Sequence, residues 1–205
     1  MNSPFKASAE IAPTGWYNLA KFSMADDSQA EKVTHWNGLS ISAKVILARD
    51  TNDATYLMLA LGEEENHDVR YYAAGNKKAT PEVLLKALRD DRPDVRKAAA
   101  RNERATPEVL MKALQDEEYV SVRIAAARNE SATPEVKTKY VLRYYLEMGR
   151  FPEISFITPA AISALVRDQR VDLERLGDQI ESSPFRNNKY IRASIQLEKK
   201  RREKQ

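Results

Sequence analysis

One sentence is written three times between Val69 and Val136, and it constrains the fold more than any other feature of the chain. It reads Val-Arg-x-x-Ala-Ala-x-Asn, a short polar gap, Thr-Pro-Glu, then a Leu-rich run. The copies begin at Val69-Arg70, Val95-Arg96 and Val122-Arg123, and their Thr-Pro pairs fall at Thr80-Pro81, Thr106-Pro107 and Thr133-Pro134. So regular a step marks a repeat array, in which each unit is one small supersecondary element that stacks on its neighbours.

Each unit predicts two helices. In the middle copy Thr106 is an N-cap and Pro107 takes the first helical position, where no N–H is needed. Glu108 lies against the positive end of the helix dipole. Val109, Leu110, Ala113 and Leu114 then share one face. Val122, Ala125 and Ala126 give a second, shorter helix its apolar side. Runs such as Ala98-Ala99-Ala100 argue against a strand, since Ala favours helix and disfavours sheet. Asn129 is expected at the helix C-terminus in a left-handed conformation, which Asn tolerates.

With those residues in view, the stretch Val95 to Leu110, Val-Arg-x-Ala-Ala-Ala-Arg-Asn-x-x-Ala-Thr-Pro-Glu-Val-Leu, resembles the variant leucine-rich repeat, a short HEAT-like α-helical repeat. The resemblance covers about a third of the chain. It implies an all-α, right-handed solenoid. The slightly longer units and the lack of Cys depart from the family, so the iron–sulfur cluster that accompanies such repeats in some members has no ligands here.

The frame extends outward. Thr158-Pro159 and Ser183-Pro184 continue the Thr-Pro series at nearly the same step, and Asp53 stands one step before Thr80. About six short two-helix units result. The expected division is an N-terminal cap over 1–37, a solenoid over 38–182 and a basic terminal helix over 183–205. Trp16, Tyr17, Leu19 and Phe22 would shield the first unit, as a solenoid end requires. Asp26-Asp27-Ser28 reads as a helix start, Ala43 to Leu47 as a second helix of a worn unit, and Glu63-Glu64-Glu65 as a solvated loop. Val136, Tyr140, Val141, Tyr144 and Tyr145 predict a longer helix with its tyrosines mainly in the core.

Composition restricts function. The absence of Cys rules out a disulfide framework and thiolate metal sites. No apolar run suits a membrane span, and no basic-plus-apolar leader is visible. The expectation is a soluble cytoplasmic protein that needs no cofactor. Charge is uneven: 5 Lys/Arg against 9 Asp/Glu over 1–67, 13 against 12 over 68–136, and 15 against 9 over 137–205. His35 and His67 are the only histidines, and no phosphate loop or nucleophile elbow is present. No catalytic set is expected.

Equivalent residues of successive units should form columns. Arg70, Arg96 and Arg123 make one, and nearby acidic residues suggest a ladder that stitches units together. Arg101 and Arg128 make a second, interrupted by Gly75. Lys78 and Arg104 begin a third. Guanidinium is always charged and bidentate, so such columns suit carboxylates or phosphates. A fourth column of Lys86, Lys112 and Lys139, each four residues after a Glu, reads as exposed helix support. The tail Lys199-Lys200-Arg201-Arg202 with Lys204 is either solvated or an electrostatic arm. The sequence thus predicts a non-enzymatic scaffold for an acidic protein partner, with DNA or RNA binding as the alternative.

Overall fold

The computed structural model describes residues 28–152, 158–183 and 185–204, and these form twelve helices and no strand. The helices are α1 (Gln29–Asn37), α2 (Ile41–Asp50), α3 (Ala54–Ala60), α4 (His67–Gly75), α5 (Pro81–Ala87) and α6 (Pro93–Arg101), followed by α7 (Pro107–Ala113), α8 (Val120–Arg128), α9 (Pro134–Met148), α10 (Pro159–Arg167), α11 (Leu173–Glu181) and α12 (Lys189–Arg202). The aromatic cluster expected to cap the array lies outside the described residues. The chain divides into two compact units, residues 1–104 and 105–205, so the division falls within the run of clear repeats.

Helix starts follow from the sequence chemistry. Thr80, Thr106, Thr133 and Thr158 each accept from the backbone N–H three residues on, with Pro in the first turn. Such caps satisfy donors that the helix itself cannot. Ser28 opens α1 with a reciprocal capping box: its hydroxyl accepts from Glu31 N–H, and the Glu31 carboxylate accepts from Ser28 N–H at 2.8 Å. Asp53 caps α3.

In the first unit α1 packs on α3 and α3 on α5, while α2 packs on α4 and α4 on α6, and from α2 onward each helix also meets the next. Tyr56, Leu57, Val83, Leu84 and Ala87 fill the space between the two rows. The row of α2, α4 and α6 comes together through Ala48, Ala73, Ala74, Ala99 and Ala100, all fully buried. Small side chains allow that close approach. In the second unit α7 meets α8 and α9, α8 meets α9, α9 meets α10, and α12 lies on α10 and α11.

The structure corrects several expectations. The repeat asparagines are not left-handed: Asn76, Asn102 and Asn129 have φ of −64°, −59° and −61° with extended ψ. The one described positive φ belongs to Gly149 at 63°, the C-cap of α9, where an added Cβ would lie 2.6 Å from the Arg175 guanidinium. The asparagines instead bond between helix pairs. Asn76 Nδ2 donates to the carbonyls of Ala48, Arg49 and Thr51 at 2.8, 3.0 and 3.0 Å. Asn102 Nδ2 donates to Ala74 and Asn76 carbonyls at 2.8 and 2.9 Å. These buried amides close helix ends that a left-handed residue would otherwise have closed.

Ser183 does not open the terminal helix. Its hydroxyl donates to Ile180 O and accepts from Phe185 N–H, closing α11, and α12 begins only after Asn188, which accepts from Tyr190 and Ile191 N–H. Glu63 is not part of a solvated loop: its carboxylate meets Lys44 Nζ at 2.6 Å, both side chains being mostly buried. Of the lysine column, only Lys139 pairs with its glutamate, Glu135, among the described residues. Lys86 donates to Met58 O and Lys112 to Gln115. Tyr140 and Tyr145 are in the core, and burial pushes the Tyr140 phenol up to about 12.

Candidate binding face

The first arginine column is internal. Arg70, Arg96 and Arg123 are 8, 9 and 3% exposed. Each donates through Nη1 to carbonyls of the turn before its helix: Arg70 to Glu63 at 2.8 Å, Arg96 to Asp90 and Asp91 at 2.8 and 2.9 Å, Arg123 to Asp116 at 2.7 Å. Arg70 then reaches the following turn, where Nε and Nη2 meet Asp90 and Asp91 at 2.7 and 2.8 Å. Arg123 instead pairs with Glu147 in the last turn of α9. The acidic neighbour nearest in sequence, Asp68, faces His67 instead. The hydrogen bond to Asp90 outweighs burial and holds the Arg70 pKa above its ordinary value. Lys44 continues this column backwards through Glu63.

The second column faces outward. The asparagine bonds align Ala48 with Ala74, and the 26-residue step of the sequence continues to Ala100, so the next residues, Arg49, Gly75 and Arg101, occupy equivalent places at the ends of α2, α4 and α6. Arg49 is held by its neighbour Asp50 through two bonds of 2.9 and 2.8 Å. At Gly75 an added Cβ would meet nothing within 4 Å. Arg101 is exposed, with no side-chain partner among the described residues.

Below them lie two loops in fixed register. Asn76 Oδ1 accepts from Lys78 N–H at 2.6 Å, Asn102 Oδ1 accepts from Arg104 N–H at 2.9 Å, and Asn102 Nδ2 bonds Asn76 O. Lys77, Lys78 and Arg104 are exposed, and their side chains have no partner among the described residues. One turn up, Tyr71 and Tyr72 are 42 and 36% exposed and stack edge to face at 5.5 Å. Lys97 on α6 stands at the register of Tyr71. The α2/α4/α6 row therefore grades from Asp68 and Asp94 at its helix N-termini, through aromatic rings, to unneutralised cations at its C-termini. A helix C-terminus favours cations by itself, but here Asn76 and Asn102 already cap the carbonyls of α2 and α4.

The remaining predicted residues lie in the second unit. Arg128 is exposed at the end of α8. The basic tail is partly committed: Lys199 Nζ meets Glu174 at 2.7 Å, and Arg202 donates to the carbonyls of Val171, Asp168 and Val166 at 2.7, 2.8 and 3.2 Å. Arg201 approaches Glu198 at 3.4 Å, while Lys200 and Lys204 are exposed without partners among the described residues.

Sequence reasoning missed Lys77, the tyrosine pair and Arg49. The signal for Arg49 is present, because Arg49, Gly75 and Arg101 follow one another at the repeat's own step, but α2 lacks the Thr-Pro and Asn landmarks. No group of three or more His, Cys, Asp or Glu suited to a metal ion occurs among the described residues, and no described helix is long and apolar enough to cross a membrane. Comparison with protein-family models, with curated proteins and with solved structures finds no match.

Proposed function

We propose that this chain is a non-enzymatic scaffold, a right-handed solenoid of about six short repeats akin to variant leucine-rich repeats, that binds an acidic protein segment. The alternate packing of α1, α3, α5 and of α2, α4, α6 supports the repeat reading. One observation carries the binding reading: Lys77, Lys78, Arg101 and Arg104 lie unneutralised beside an exposed Tyr71–Tyr72 pair, on a row whose Arg70 and Arg96 are spent internally and whose Arg49 is held by Asp50. Carboxylates of a partner would meet the cations, and its apolar groups the rings. Tyr and Arg are the side chains that most often dominate interface energies. A nucleic-acid ligand is less well supported, because Lys199 and Arg202 of the basic tail are engaged within the fold.

The test is fluorescence anisotropy of a labelled Glu-rich peptide containing leucines, with single- and double-stranded oligonucleotides as competing probes at two salt concentrations. The peptide is expected to bind, and a Lys78→Glu/Arg101→Glu/Arg104→Glu variant to lose affinity by at least about tenfold, about 1.4 kcal/mol or more. Oligonucleotide binding that is tight and steeply salt-dependent, with the peptide not bound, would replace this reading with the nucleic-acid one.

A further inference from the structure

The terminal helix carries a second surface, in the other unit. One side of α12 is fixed: Ile191, Ile195 and Glu198 are buried, Arg202 closes the end of α10 through three carbonyls, Lys199 holds Glu174, and Arg192 holds Glu181. The opposite side presents Tyr190 and Leu197, 74 and 71% exposed; among the described residues the next most exposed large apolar side chain, Met148, reaches only 46%. Seven residues separate the two, so they share a face and stand about 10 Å apart along the axis. Ala193 lies between them, and Arg201 and Lys204 continue the same stripe. Arg186, Lys189 and Lys200 flank it, exposed and without anionic partners among the described residues.

Two apolar anchors set among cations define what fits. A second copy of this face does not: around a two-fold axis every charged group meeting its counterpart would be a cation. A phosphate backbone would use the cations but leave Leu197 uncovered. We infer that the outer face of α12 docks an amphipathic helix of a partner protein, whose apolar residues at i, i+3 or i+4, and i+7 cover Tyr190 and Leu197 and whose flanking Asp or Glu meet Arg186, Lys200, Arg201 and Lys204. This follows the helix-against-helix mode of recognition. It does not depend on the α2/α4/α6 face.

The probe is a labelled helical peptide with Leu at those spacings and Glu elsewhere, titrated into the full chain by anisotropy. Binding is expected. Leu197→Ser and Lys200→Glu/Lys204→Glu should each weaken it by at least about tenfold. Melting temperatures should not change, because exposed substitutions rarely alter stability. In a Lys78→Glu/Arg101→Glu/Arg104→Glu background, which disables the α2/α4/α6 face, the peptide should still bind and Leu197→Ser should still weaken it. No binding, binding indifferent to Leu197→Ser, or binding lost only with the Arg101 variant would overturn the proposal, the last result crediting the other face. Equal dependence on Leu197 for anionic lipid vesicles, with no peptide binding, would overturn it in favour of a membrane surface.

Discussion

Replacing Asn76 tests the idea that buried amides, and not backbone conformation, close the helix ends of this fold. Asn76 is 3% exposed. Its two Nδ2 hydrogens serve three carbonyls, and its Oδ1 accepts from Lys78 N–H. That amounts to three hydrogen bonds' worth of pairing, each contributing about 1 kcal/mol net, so Asn76→Ala should cost about 3 kcal/mol. Against a typical total of about 5–15 kcal/mol, that is a large share. Asn76→Asp is more diagnostic. The carboxylate still accepts from Lys78 N–H but turns a negative charge toward three carbonyl oxygens. At neutral pH it should therefore be worse than alanine. Desolvation and the carbonyls raise the folded-state pKa of that new carboxyl, so the folded protein binds more protons than the unfolded one between the two pKa values. Stability of Asn76→Asp relative to wild type should then rise as pH falls, since a protonated carboxyl can again donate. Urea unfolding followed by circular dichroism at pH 7 and pH 5 reads both effects. A loss below about 1 kcal/mol for Asn76→Ala, or an Asn76→Asp penalty that does not change with pH, would refute the reasoning.

Two further outcomes follow from the same geometry. Gly75→Ala should stabilise the chain by about 0.4–1 kcal/mol, chiefly by restricting the unfolded chain, because Gly75 ends α4 and its Cβ meets nothing within 4 Å; a melting rise of about 1–4 °C, together with weaker binding of the Glu-rich peptide, would show that a partner approaches the bare backbone, whereas unchanged affinity would place the contact elsewhere. Burial opposes ionisation of Asp53, but the Lys32 hydrogen bond, the Thr55 N–H and the Lys32 charge together hold its carboxyl below the ordinary range; the stability this contributes is present at neutral pH and is lost as pH falls through the folded pKa. Lys32→Met should accordingly be less stable than wild type at pH 7 and approach it below pH ~4, and a urea-midpoint difference constant with pH would contradict this.

Helix starts are legible because their signals are local. Thr-Pro needs nothing beyond its own turn, so α5, α7, α9 and α10 begin where the pattern places them. Helix ends are not legible, because their solution is tertiary: Asn76 and Asn102 reach carbonyls 25 to 28 residues away, a distance no window of propensities contains. The terminal helix fails for a related reason. Ser183 offers a local cap that the chain uses to close α11 instead, and Asn188, which accepts two backbone N–H groups, supplies the start of α12.

The two arginine columns show how far helical phase carries the argument about function. Arg96 follows Val95 by one residue and precedes Ala99 by three, placing it within about 100° of two fully buried side chains on a 3.6-residue helix. Arg101 lies five residues further on, about 140° around the axis from Arg96, and so faces outward. The phase separates them even though both are arginines on one helix in the same repeat. What phase does not supply is the destination of the inner guanidinium, which turns back to the carbonyls of Asp90 and Asp91. Charge reversal at Arg96 would strip two turn carbonyls of a buried donor and add an unpaired buried charge, a folding defect of several kcal/mol. The same reversal at Arg101 changes only a solvated surface, so a binding loss there reports on the partner and not on the fold.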